Sequence, residues 1–177
     1  MTAPAPGGGL YVKMDERPFR MLVLEGGQRR YVASGWELAG EAAFKDALAT
    51  LGNAGVGYEL AGPELCRQRG MQAIALVTDP SGNRHELGWG HLSDCQPFVS
   101  PQGVPRFLTG EMGMGHTVLP SPNFDASVAF FRDVLGFGLS DIFNFRPDPN
   151  GPAIRIHFLH CNNARHHSLA IAEYPVP

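Results

Sequence analysis

A chain of 177 residues, 44% hydrophobic and 18% charged, has the composition of an ordinary globular protein with room for one large domain or more than one small one. A net charge of −3 gives no electrostatic reason for a nucleic-acid or anionic-membrane partner, and no apolar run approaches the ~20 residues that cross a bilayer. Cys66, Cys95 and Cys161 are odd in number and unrelated in spacing, which argues against a disulfide framework. The first residues lack the basic and apolar regions of a signal peptide, so a cytoplasmic location is expected.

Residues 1–9 are rich in Pro and Gly and read as a flexible N-terminus. Leu10–Asp15 and Phe19–Glu25 have strand length and pattern, and Tyr31–Leu38 reads as a third strand. Gly40–Leu51 places Phe44, Ala47, Leu48 and Leu51 on one helical stripe, which Gly52 or Gly55 can close. Gly57–Leu60 suits a short strand and Pro63–Arg69 a turn or two of helix. Met71–Thr78 and Asn83–Trp89 are strands joined by Asp79-Pro80-Ser81-Gly82, which fits a type I turn. The order from Tyr31 to Gly90 is therefore a βαβββ unit.

Residues 91–108 carry Pro97, Pro101, Gly103 and Pro105 and read as a connector. A second βαβββ unit follows. Its strand is Gly115–Leu119, and its helix runs from Asn123, a suitable N-cap, to Leu135, with Phe124, Val128, Phe131 and Leu135 on one stripe. Strands at Phe137–Phe145, Ala153–Cys161 and His167–Tyr174 complete it. The fold class expected is α+β, built from two such modules with open curved sheets. The strands before Tyr31 look like the rear of an earlier module. Residues 10–90 would form one domain and 109–177 the first half of another.

Chemistry concentrates in Thr109–Val118, where two closely spaced glycines, Gly113 and Gly115, deliver His116 to the start of a strand. Glycine permits sharp turns and close backbone approach. On spacing alone two readings stand: a histidine satisfied by backbone groups, or an imidazole offered to a metal. His166 and His167 open the last strand, where a polar pair or an acid–base residue are equally natural.

Thr109–Val118 resembles the G-E-Q-G-[LM]-G-H segment of the two-domain extradiol ring-cleavage dioxygenases of the vicinal-oxygen-chelate superfamily. Phe130–Phe137 is similar to their F-Y-x-D-V-L-G-F helix end. Phe158–Asn162 with Arg165–Ala170 matches a third motif, and weaker similarity covers nearly the whole chain. The resemblance implies four βαβββ modules in two domains, of which this chain holds the rear of the first, the second and the third, the fourth being absent. The N-terminal domain would bind no metal, which gives Glu86 a structural part.

The resemblance further implies Fe(II) held by two histidines and a carboxylate, with His116 as the first histidine and the other ligands expected beyond residue 177. His167 would be the catalytic acid–base residue and His166 its neighbour. Phe158 would line the substrate pocket, with Phe145 and Val118 either beside it or in ordinary core. His157 and His160 are given no ligand role, and Glu173 is too far along its strand for one. The implied reaction inserts O2 beside a catechol hydroxyl, on a bicyclic catechol such as 2,3-dihydroxybiphenyl, in a homo-oligomer. The chain by itself is expected to be inactive. The rival readings are another metal-dependent member of the superfamily and a non-catalytic aromatic-binding module.

Overall fold

Across the described residues, 1–174, the computed structural model places a three-stranded sheet ahead of two four-stranded sheets. The first sheet is an antiparallel meander of β1 (Thr2–Pro4), β2 (Leu10–Val12) and β3 (Met21–Val23). Residues 1–9 are thus more ordered than their composition suggests. Gly7, Gly8 and Gly9 all take positive φ and form the hairpin turn between β1 and β2. A side chain on Gly9 would meet the Val23 carbonyl oxygen at 2.3 Å, so β3 can approach only a glycine there. Pro4 sits on the edge strand, where no ladder N–H is required of it.

The N-terminal module comprises β4 (Ser34–Leu38), α1 (Glu41–Asn53), β5 (Tyr58–Leu60), α2 (Pro63–Arg69), β6 (Ala73–Thr78) and β7 (Arg84–Trp89). Glu41 lies in the first turn of α1, where its charge complements the helix dipole, and Phe44 and Leu51 bury the inner face. Pro63 starts α2 and Gly70, at φ 63°, ends it. Strand order is β4-β7-β6-β5, with β4 parallel to β7 and the other pairs antiparallel. The turn between β6 and β7 closes with Gly82 N–H donating to Asp79 O at 2.9 Å.

The C-terminal module repeats that topology as β8-β11-β10-β9, with β8 (Thr117–Pro120), β9 (Gly138–Phe145), β10 (Ile154–His160) and β11 (Leu169–Ala172). Its helix differs from the expected one. It is α-helical only over α3 (Phe124–Ala129) and widens to a π turn over Phe130–Val134. The wider turn lets neighbouring Phe130 and Phe131 both face inward, with rings 5.2 Å apart and edge-on. Asn123 occupies the N-cap position but makes no side-chain cap. Its amide instead donates to Pro80 O at 2.6 Å, across to the other module. The expected end of this domain, 175–177, lies outside the described residues.

One core serves both modules: Phe44, Leu51, Val77 and Leu87 join Phe124, Phe131, Leu159, Leu169 and Ile171. A polar row of the N-terminal module lines the seam. Trp36 Nε1 donates to His85 Nδ1 at 3.1 Å, which leaves the His85 proton on Nε2, 3.5 Å from Asp79 Oδ2. The edge of Phe131 packs against the His85 ring at 5.1 Å and Phe137 against Trp36 at 5.1 Å. The architecture is α+β with open sheets.

Candidate active site

Side chains two apart on a strand share a face, so the register of the C-terminal sheet separates its two sides. Leu119, Leu159, Leu169 and Ile171 are buried against α3. The opposite face carries the row Val118, Ala170, Phe158, Asp141, whose members are register partners across β8, β11, β10 and β9. Val118 is 54% exposed, and Phe143 and Phe145 further along β9 are 50% and 43% exposed. This side of the sheet is open.

His116 precedes β8 on the same side as Val118, at the end of the turn Gly110–Met112. Gly110 and Gly113 take φ of 57° and 67°, which explains two glycines by backbone conformation. Neither they nor Gly115 makes a close approach to other atoms. His167 enters from the loop before β11. The rings of His116 and His167 lie 4.5 Å apart, and Phe158 lies 4.8 Å from His167. His166 points its Nδ1 at His167 Nδ1 from 3.0 Å, so one of the two carries a proton there. Burial, together with the charges of His116, His166 and Arg165, holds His167 below the usual imidazole range.

The structure therefore brings His116, His167 and Phe158 together, with Val118 beside them. Phe145 lies farther along the same sheet and has Phe143 as its ring neighbour at 6.1 Å. A bulge in β9 leaves Ser140 unpaired, because Phe158 pairs with Asp141 and Leu159 with Leu139. The freed Ser140 hydroxyl donates to the carbonyl oxygen of His166 and accepts from His160 Nδ1 at 2.6 Å. It thereby fixes the peptide that leads into His167. The His160 ring also leaves no space at Gly138 for a side chain.

Residues 113–175 match the family described as the Glyoxalase/Bleomycin resistance protein/Dioxygenase superfamily. That stretch, the C-terminal module, is similar to a domain of that superfamily. It is 37% identical, over 95% of its length, to an iron-dependent extradiol dioxygenase of Rhodococcus jostii, of which it covers 57%. It is also 37% identical to a biphenyl-2,3-diol 1,2-dioxygenase of Paraburkholderia xenovorans, covering 59% of that protein. The crystal structure of a halotolerant catechol dioxygenase superposes with a TM-score of 0.83 at 34% identity, over 99% of this chain and 57% of that one. The chain is thus a relative of extradiol dioxygenases and spans somewhat less than two thirds of their length.

Other ionisable groups of the chain are held elsewhere. Glu86 forms a two-point ion pair with Arg69, at 2.7 and 2.9 Å. Glu173 is bound by Arg155, which also reaches Asp125 and lies over the Phe124 ring. His157 packs against Phe124 on the core side, with Nδ1 unpartnered. Among the described residues, no group of three or more His, Cys, Asp or Glu side chains could hold a metal ion. Nor is any helix among them long and apolar enough to cross a membrane. Sequence reasoning missed Ser140, Asn163 and Arg165 at the site. For the last two, the available signal was a run of polar residues immediately before a histidine pair.

Proposed function

We propose that this chain takes part in extradiol ring cleavage, the insertion of O2 between a hydroxyl-bearing carbon of a catechol and its non-hydroxylated neighbour. One observation carries the reading: the His116 and His167 rings approach to 4.5 Å on an open face, with Phe158 beside His167. The names borne by the relatives support it. His116 would be one ligand to Fe(II), a metal suited to two imidazoles and a carboxylate with open positions. The described residues do not make up such a site alone.

What the chain's own residues would do is define a pocket and move a proton. His167 can take a proton from a catechol hydroxyl and return it later in the reaction. Phe158 offers a flat wall for the substrate ring, with Val118 on one side and Phe145 at the far end. Apolar surface continues from Phe158 through Ile156 to Phe143, beyond the reach of one ring, which favours a bicyclic catechol such as 2,3-dihydroxybiphenyl. The same exposed face favours a homo-oligomer. The free cysteines suit the cytoplasm. A second reading, an aromatic-binding module without catalysis, draws on the exposed Phe143 and Phe145.

The test is oxygen uptake and the yellow ring-fission product from 2,3-dihydroxybiphenyl, in the natural protein carrying these residues and supplied with Fe(II). His116→Ala is expected to abolish both iron retention and turnover. The 177-residue chain alone is expected to retain no stoichiometric iron after dialysis. Turnover that survives His116→Ala overturns the reading, and catechol binding without oxygen uptake favours the binding module.

A further inference from the structure

The stretch that presents His116 has little packing to hold it. Gly110, Gly113 and Gly115 have no atom within 4 Å of where a side chain would begin. Such a segment has many accessible conformations, and the last carbonyls of a short helical turn lack partners within the turn. All three of those carbonyls are taken by one pair of side chains far along the chain. Asn163 Nδ2 donates to Glu111 O at 3.1 Å, Arg165 Nε donates to Met112 O at 3.1 Å, and Arg165 Nη2 reaches Gly113 O at 3.5 Å. Asn163 Oδ1 accepts the Arg165 N–H at 3.0 Å, which joins the two side chains into one unit.

On the other side of His116, Thr117 N–H donates to Ser168 O at 3.2 Å and opens the β8–β11 ladder. His116 is therefore fixed before and after by residues 163–168, and that same segment carries His167. A displacement of the Gly110–Gly113 turn would move one histidine of the pair and not the other. The guanidinium suits this task because its fixed fork presents donors to successive carbonyls at once, whereas a lysine ammonium offers a single point.

We infer that Asn163 and Arg165 are positioning residues that clamp the Gly110–Gly113 turn and so set the spacing of the His116–His167 pair. The inference rests on the proposed function for the purpose of that spacing. The bonds themselves do not depend on it.

The experiment is NMR of the isotopically labelled 177-residue chain, comparing wild type with Arg165→Met, Arg165→Lys and Asn163→Ala. Nuclear Overhauser contacts between the carbon-bound ring protons of His116 and His167 are expected in the wild type, from the 4.5 Å separation. They are expected to fall several-fold in Arg165→Met and Asn163→Ala and to be partly retained in Arg165→Lys. Contacts between Phe131 and Phe137 in the core serve as the reference and are expected to be unchanged. Histidine contacts that persist in both disruptive variants overturn the clamp. So does loss of the core contacts along with them, because the two residues would then support the fold at large. Catechol turnover by the natural protein is the second arm, with kcat expected to drop about tenfold in Arg165→Met and KM to change little. A wild type with no turnover, whose histidine contacts still respond to the variants, removes the proposed function and leaves the clamp standing.

Discussion

In both modules the first strand runs parallel to the last, and the first pair of each ladder is Ser34 with His85 and Thr117 with Leu169. Counted from those pairs, Ala33 stands where the C-terminal module has His116, and Asn83 where it has His167. Leu76 opposite Glu86 corresponds to Phe158 opposite Ala170. The N-terminal module inserts α2 between β5 and β6, and Arg69 at the end of that helix reaches over the sheet to Glu86. The C-terminal module has only the loop 146–153 between β9 and β10. One short helix and its arginine thus separate a face closed by an ion pair from a face left open beside two histidines.

The largest effect expected from this difference is on chemistry. His167→Ala should lower turnover by the natural protein about 10²–10⁴-fold, the usual loss for an acid–base group, and leave stability nearly unchanged. Asn83→Ala should do the opposite, because Asn83 donates to Asp79 Oδ2 at 3.0 Å and to Pro120 O at 3.2 Å and so holds the modules together. Turnover assays and urea midpoints on both variants check this. A loss of turnover in folded Asn83→Ala would break the comparison.

The shared core should respond next. Phe131 is fully buried and packs against His85 of one module and Phe137 of the other. Phe131→Ala should cost about 3–5 kcal/mol and shift a single unfolding transition. Two resolved transitions, only one of them displaced, would mean that the modules fold independently.

Much of this arrangement was legible in the sequence, for physical reasons that also mark the limit. Strands and α1 showed themselves through periodic apolar residues, and Pro63–Arg69 read as the short helix that α2 is. The π turn was invisible because Phe130 and Phe131 fit a regular helix by spacing, and only the inward facing of both reveals the extra residue per turn. Asn123 has the right letter for a cap, yet its amide had a better partner across the seam. The roles expected of His116 and His167 came from a resemblance, since nothing local couples residues so far apart. Arg165 and Asn163 bind backbone carbonyls, which have no letters in a sequence, and Ser140 acquires its role from a bulge that exists only in the pairing.

A pH effect separates the seam from the N-terminal sheet. His91 follows β7 with its side chain 6% exposed and Nε2 unpartnered. Burial, together with the charges of Arg17 and Arg20 and against that of Asp15, pushes it down to about 4. Glu37 approaches its Nδ1 to 4.0 Å. Between about 4 and the ordinary value of 6.5 the unfolded chain binds a proton that the folded chain refuses, so stability rises with pH across that window. Its full loss is at most ~3 kcal/mol, reached as pH falls to about 4. Asp79 behaves differently: burial alone would raise it, but hydrogen bonds from His85 and Asn83 outweigh burial and hold it low. Its contribution is present above the ordinary carboxylate value of 3.8 and fades only below it. Urea midpoints from pH 7 to 4 should therefore fall in the wild type and fall less steeply in His91→Gln, where His157 and His167 still contribute. An equal slope in both would assign the effect to other groups.

The smallest expected difference lies between the two arginine–carboxylate pairs. Arg69 and Glu86 are each 15% exposed, whereas Arg155 and Glu173 are 39% and 38% exposed. Glu86→Ala strands a largely buried guanidinium, whose remaining side-chain partner is Gln68 Oε1 at 2.7 Å, and should cost about 1–3 kcal/mol. Glu173→Ala leaves Arg155 its bonds to Asp125 at 2.8 and 3.2 Å and its seat over Phe124, and water screens the rest. That loss should stay below about 1 kcal/mol and shrink further in high salt. The two costs can be compared by chemical denaturation at low and high ionic strength. Equal costs would mean that the ion pair on the closed face does no more for its module than a surface pair does for the other, and the closing of that face would then rest on α2 packing alone.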